Sequence, residues 1–183
     1  DVPRGQEWVV LVGHTRSVTS AAFSPDGGQF KTPSLDNTAR LWDVASGQKR
    51  VVLVGHQSRV TSSHFSPDGS QVVTTSFGNI ARLWDVASGQ ERVVLVGHKS
   101  YVTSAAFSPD GSQVVTASFD KTARLWDVAS GQKRVVLEGH ESRVTSAHFS
   151  PDGSQVVTTS FDSTVRLWDV ANGQERAVLA GSK

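Results

Sequence analysis

Four histidines, His14, His56, His98 and His140, stand 42 residues apart in this chain. Each is followed, in the same order, by a threonine (Thr32, Thr74, Thr116, Thr158) and a tryptophan (Trp42, Trp84, Trp126, Trp168). Three of the four sets also carry an aspartate at one offset, Asp36, Asp120 and Asp162; the second set has Gly78 there. An imidazole, a carboxylate and a hydroxyl are the parts of an acyl-transfer triad, in which the carboxylate orients the imidazole that takes the hydroxyl proton. Repetition argues against that chemistry. A catalytic site is needed once per protein, whereas this set recurs with every copy of a repeat. No lone acid–base pair breaks the pattern, so no catalytic residue is expected.

The third copy shows which elements must position these groups. Residues 102–108 (VTSAAFS), 113–119 (QVVTASF), 122–128 (TARLWDV) and 132–137 (QKRVVL) read as four short strands. Pro109-Asp110-Gly111, Asp120-Lys121 and Ala129-Ser130-Gly131 supply the turns between them. Strands of this length joined by such turns form an antiparallel meander. Thr116, Ser118, Asp120 and Trp126 share parity, so their strand positions face one way. Either Thr116 or Ser118 offers the hydroxyl.

Bulk composition narrows the field. The net charge is +1, so neither a nucleic acid nor a membrane surface is expected as a partner. No apolar run reaches the length of a membrane-spanning helix. The chain has no Cys, hence no disulfide framework and no thiol nucleophile. With no secretory signal pattern, a cytoplasmic location is expected. Met is also absent, even at the first position, which fits a processed form or a fragment. Residues 1–5 belong to no repeat and read as linker.

Each histidine belongs to a Gly-His pair (Gly13, Gly55, Gly97, Gly139), and each tryptophan to a Trp-Asp pair (Asp43, Asp85, Asp127, Asp169). A period in the forties with these two dipeptides resembles the WD40 repeat family, from about residue 6 to residue 179. The resemblance implies an all-β propeller built of four-stranded antiparallel blades. Four blades are expected in the chain, with repeats at about 13–54, 55–96, 97–138 and 139–180. Blades packed face to face bury both sides of their inner strands, which accounts for runs such as Val114-Val115. The resemblance also implies a relay in each blade from Trp N–H through the hydroxyl and the imidazole to the carboxylate. The second copy lacks the carboxylate, so His56 loses its orienting partner. In the first copy Pro33 lies inside the second strand, which should bulge or break there. These two lesions make the first two blades the weaker half.

Other differences alternate. GQKR and GQER take turns along the four copies, and His64 and His148 occur only in the even ones. A duplicated two-repeat unit is implied, through recent amplification or deliberate engineering. His64 and His148 would approach the channel of a ring, but no carboxylate accompanies them at ligand spacing. Polar packing is expected, with no metal and no cofactor. Arg50, Arg92, Arg134 and Arg176 read as a solvated outer rim; Trp8 replaces the arginine in the first such strand.

Four blades leave an apolar face open at each end of the arc. Two arcs of four would hide both, so the expected assembly is a homodimeric eight-bladed ring; the alternative is part of a longer chain. Residues 6–12 (QEWVVLV) would be a latch strand, in competition with residues 174–179 for the last blade. In the family, partners meet the face where the loops into the inner strands emerge. The positions there are Ser17, Arg59, Tyr101 and Arg143, three past each histidine, and Leu35, Phe77, Phe119 and Phe161, one before each turn aspartate. Phe, Tyr and Arg are hot-spot types, although Phe rings also fill gaps between blades. The expected function is a non-enzymatic scaffold for a protein or peptide. The alternatives are a lectin-like propeller for glycans or small molecules, an enzyme using the channel face, and an amplified array with no ligand.

Overall fold

The computed structural model describes residues 10–180. They form four antiparallel sheets of four strands each, every sheet in simple sequence order. The first contains β1 (Ala22–Phe23), β2 (Gln29–Pro33), β3 (Thr38–Asp43) and β4 (Lys49–Val54). The second contains β5 (Val60–Phe65), β6 (Gln71–Ser76), β7 (Ile80–Asp85) and β8 (Glu91–Val96). The third contains β9 (Val102–Phe107), β10 (Gln113–Ser118), β11 (Thr122–Asp127) and β12 (Lys133–Glu138). The fourth contains β13 (Val144–Phe149), β14 (Gln155–Ser160), β15 (Thr164–Asp169) and β16 (Glu175–Ala180). No helix among the described residues is long and apolar enough to cross a membrane, which says nothing of crossing with strands.

The turns follow their residues. In the Ser-Pro-Asp-Gly turn of the third sheet, Ser108 Oγ donates to Asp110 and accepts the Gln113 N–H at 2.9 Å. Gly111 closes it at φ +73°, a left-handed conformation that other residues adopt at a cost.

Neighbouring sheets pack face on face. Val115, Ala117, Ala123, Leu125 and Leu137 of the third sheet meet Val144, Ala147, Val156 and Trp168 of the fourth. Val73, Leu83 and Leu95 of the second meet Val114 and Trp126 of the third, and Leu41 and Leu53 of the first meet Val72 and Trp84 of the second. Val114 and Val115 thus belong to different cores on opposite sides of one sheet, and both are fully buried. Every such interface joins an Ala/Leu face of one sheet to a Val/Trp/Phe face of the next.

The row of sheets does not close on itself. The first sheet keeps its Val/Trp/Phe face open, with Phe23 67% and Val44 42% exposed. Phe30 covers the ring of Trp42 there by stacking at 6.3 Å and 10°. The fourth keeps its Ala/Leu face open, with Leu179 63% exposed.

Two expectations change. β2 neither bulges nor breaks at Pro33: its register with β3 runs unshifted from Gln29↔Asp43 to Pro33↔Ala39. The break falls on its inner neighbour, and β1 shrinks to two residues. The Pro33 carbonyl accepts the Thr19 N–H at 3.0 Å, so residue 33 turns its hydrogen-bonding side toward β1. The donor that proline lacks is missing from that ladder alone. Second, no latch strand is present at residues 10–12, and the rest of that segment, with Trp8, lies outside the described residues. β16 instead completes the fourth sheet by pairing with β15. Lys31, which the sequence reading did not single out, takes the place held by Val73, Val115 and Val157. It is 2% exposed, and its ammonium donates to the Ser63 carbonyl of the next sheet. Burial pushes this amine down to about 8.

Candidate functional site

Gly13-His14 lies ahead of the first sheet and the other three Gly-His pairs lie in the segments joining one sheet to the next, and each histidine turns into the sheet that follows. The glycine meets that sheet's tryptophan: a Cβ on Gly55, Gly97 or Gly139 would lie 3.0, 3.2 or 3.1 Å from the indole edge of Trp84, Trp126 or Trp168. Space for the ring therefore ties the two signature dipeptides together.

In the third sheet Trp126 Nε1–H donates to Thr116 Oγ1 at 2.8 Å, and that oxygen lies 2.7 Å from His98 Nε2. His98 Nδ1 is 2.8 Å from Asp120 Oδ2. The ionised carboxylate can only accept, so the imidazole presents Nδ1–H to it, and Nε2 of the neutral ring then accepts the Thr116 hydroxyl proton while that oxygen accepts the indole N–H. The fourth sheet repeats the set, with Trp168–Thr158 at 2.8 Å, Thr158–His140 at 2.7 Å and His140–Asp162 at 2.8 Å. The first gives Trp42–Thr32 at 2.7 Å and Thr32–His14 and His14–Asp36 at 2.8 Å. Thr116, not Ser118, is the relay hydroxyl; Ser118 bonds the Ser100 carbonyl and accepts the Asp120 N–H, both at 3.1 Å. The Thr74, Thr116 and Thr158 side chains are fully buried, out of reach of any substrate.

Burial raises the Asp120 carboxyl. The hydrogen bonds from His98, Thr122 and the Lys99 N–H outweigh it and hold the group well below the usual carboxylate range. Asp36 and Asp162 are held down in the same way. Burial lowers His98, with Asp120 pulling the other way.

In the second sheet Trp84 and His56 reach Thr74 at 2.7 and 2.6 Å, but His56 Nδ1 has no partner among the described residues. Burial, then the nearby Arg82, pushes His56 down to about 4.

The Lys/Glu alternation of the outer strands has a local meaning. Glu91 and Glu175 pair with Arg82 and Arg166 in the even sheets. The odd sheets have Lys49 and Lys133 instead, and Arg40 and Arg124 turn to Asp36 and Asp120 at 4.0 and 3.5 Å. The alternation was visible in sequence, but its partner arginines were not, because they lie on the neighbouring strand and off the directly opposite position: Glu91 faces Trp84 and Glu175 faces Trp168.

The loop face carries the remaining sequence candidates. The backbone joins the two sets pair by pair: Leu35 to Ser17, Phe77 to Arg59, Phe119 to Tyr101 and Phe161 to Arg143, at 2.9 to 3.0 Å. Side chains then meet within the third sheet and across to its two neighbours. Phe77 and Tyr101 are 5.5 Å apart, Tyr101 and Phe119 5.9 Å, and Phe119 and Phe161 6.5 Å. The Arg143 guanidinium lies 4.7 Å above the Phe119 ring. Phe77, Tyr101 and Phe161 are 41%, 47% and 65% exposed. Two open grooves flank the row, of about 690 Å³ beside Arg59 and of about 670 Å³ beside Lys99. Away from this face, His148 is exposed and His64 is half-buried near Lys31. Arg50, Arg92, Arg134 and Arg176 are exposed on the outer strands.

A tandem array of four-stranded antiparallel sheets, stacked face to face and each clamped by a Trp–Thr–His set, defines a propeller-type repeat protein. The family model for the WD domain, G-beta repeat, matches residues 5–43, 47–85, 89–127 and 131–169, and the chain belongs to this WD40 family. A search of curated proteins finds no match.

Proposed function

We propose that the chain is a non-enzymatic scaffold that holds a protein or peptide partner on its loop face. The observation that carries this reading is the unbroken row Phe77–Tyr101–Phe119–Phe161 across three sheets. Exposed aromatic area on backbone fixed by sheets is what binding hot spots use. Arg59, Lys99 and Arg143 border the row, so a partner with apolar side chains and acidic flanks complements it. WD40 propellers commonly serve protein interaction, and the buried threonines leave the repeated His–Asp pairs no substrate to activate.

The test is capture of partners by the immobilised chain. A Tyr101→Ala, Arg143→Ala double variant should lose them, while an Arg92→Ala, Arg134→Ala variant of the rim should keep them. Loss in the rim variant alone would move the binding surface outward. Binding on a glycan array that survives the first variant would favour a lectin-like role instead.

The proposal extends to assembly. The open Val/Trp/Phe face of the first sheet and the open Ala/Leu face of the fourth repeat the two halves of every internal interface. Two chains joined head to tail at both ends make a ring of eight sheets, which is the homodimer we propose.

A further inference from the structure

In the first, third and fourth sheets the aspartate beside the histidine sits in a fixed set of donors. Its Oδ2 lies 2.8 Å from the imidazole Nδ1 in all three. The same oxygen accepts the N–H of the residue after the histidine, from Thr15 at 3.1 Å, Lys99 at 3.0 Å and Glu141 at 2.9 Å. The second sheet keeps the donors and lacks the carboxylate, because Gly78 has no side chain. The His56 ring holds the family pose: its centroid is 6.2 Å from that of Trp84 at 58°, beside 6.2 Å and 61° for His98 and Trp126. Its Nδ1 therefore faces the place that a carboxylate fills elsewhere. His56 is 7% exposed, and Nδ1 has no protein acceptor among the described residues. A buried polar nitrogen left this way is costly, and an acceptor that reaches it holds the ring in its Nδ1–H tautomer. Gln57 supplies the backbone N–H, and the Arg82 guanidinium adds positive charge close to His56. Gln57 and Gly78 each border one of the two loop-face grooves, which bring solvent up to the residues on either side of the buried nitrogen.

We propose that His56 Nδ1 and the Gln57 N–H form a receptor for one carboxylate group, which takes the place of the missing aspartate side chain, with Arg82 nearby but already paired to Glu91. The donors to the second oxygen are reduced. Ile80 replaces the hydroxyls of Thr38, Thr122 and Thr164, and Asn79 does not take the left-handed conformation of Asn37, Lys121 and Ser163. One oxygen is gripped and the other is not, so binding is weaker than that of a tethered aspartate. The carboxylate comes either from a free small ion such as formate or from an acidic side chain of whatever docks on the loop face.

The experiment compares melting of the parent and Gly78→Asp in sodium formate and in sodium chloride at matched ionic strength and pH. Formate at about ten times its Kd should raise the parent's Tm by about 3–5 °C over chloride. Gly78→Asp should melt alike in both salts, because its own carboxylate fills the receptor. A parent that melts alike in both salts overturns the proposal, and so does a Gly78→Asp that gains as much as the parent. Should Gly78→Asp fail to fold, a formate titration of the parent followed by NMR decides. The His56 ring N–H and Gln57 amide signals must move first, and their failure to move overturns the proposal. A capped tripeptide with a central Asp, set against its Asn counterpart, separates the sources. If the Asp peptide moves these signals at lower concentration than formate, a docked side chain is the ligand; if it needs as much or more, the free ion is.

Discussion

A buried imidazole must satisfy two nitrogens, and three of the four relay histidines do so with a threonine on one side and an aspartate on the other. Removing the acceptor leaves the donor dry, at about 1–3 kcal/mol. Asp120→Ala and Asp162→Ala should each lower the thermal midpoint accordingly, by about 2–4 °C per kcal/mol for a chain of this size; variants that melt like the parent would show that the bonds contribute nothing. His56 contributes to the acid side of the stability profile, in a window above that of the three relay aspartates. It titrates near pH 4 when folded and near its ordinary 6.5 when unfolded, so the unfolded chain takes the proton first. Its contribution is complete above pH 6.5 and is lost as pH falls toward 4. Gly78→Asp should lift the folded value and flatten the melting profile in that window, relative to the parent. Lys31 works on the alkaline side. A folded value of about 8 against an ordinary 10.5 means that the charged amine destabilises the fold in full at neutral pH, and that the penalty fades as pH rises from 8 to 10.5. Lys31→Val, the residue found at Val73, Val115 and Val157, should stabilise by roughly 1–3 kcal/mol at pH 7, with the gain shrinking above pH 8 in denaturant melts.

Strands of this protein are legible in its sequence because each repeat carries its own punctuation. Ser-Pro-Asp-Gly and Ala-Ser-Gly turns bracket runs of six residues, and β9 to β12 fall within one or two residues of the positions read from composition. What hides is anything that depends on which side of a strand a group faces. Pro33 is plain in the sequence, but only the Thr19–Pro33 bond shows that the missing donor belongs to the β1 side, where it shortens β1 and spares β3. The Glu91–Arg82 and Glu175–Arg166 pairs hide likewise, because the bulge at each Leu-Trp step resets the register of the outer strand. On the loop face, the positions were legible from their offsets to His and Asp; that their side chains touch across sheets was not, since those contacts depend on how the sheets stack. Pro33→Ala should return a donor to the β1 ladder. Hydrogen exchange at residues 18–22 should then slow while exchange in β3 stays as it is; unchanged exchange in both would place the fault elsewhere in the first repeat.

At the scale of the whole molecule, two apolar ends are a liability in water. Light scattering should give twice the 19.6 kDa chain mass, and Leu179→Glu or Phe23→Glu, one at each open face, should return the monomer. A monodisperse monomer of the unaltered chain at micromolar concentration would exclude the ring. The relays also have a mechanical role that follows from their address. Three of the relay histidines, His56, His98 and His140, sit in linkers between sheets, so their bonds rivet each linker to the sheet that follows it. Pulled by its two ends, a monomeric array should therefore rip sheet by sheet, each rupture releasing one 42-residue period, or about 140–150 Å of contour. The rivet at His56 has no carboxylate, so the second sheet should yield at the lowest force, and Gly78→Asp should lift that rupture toward the others in an optical trap.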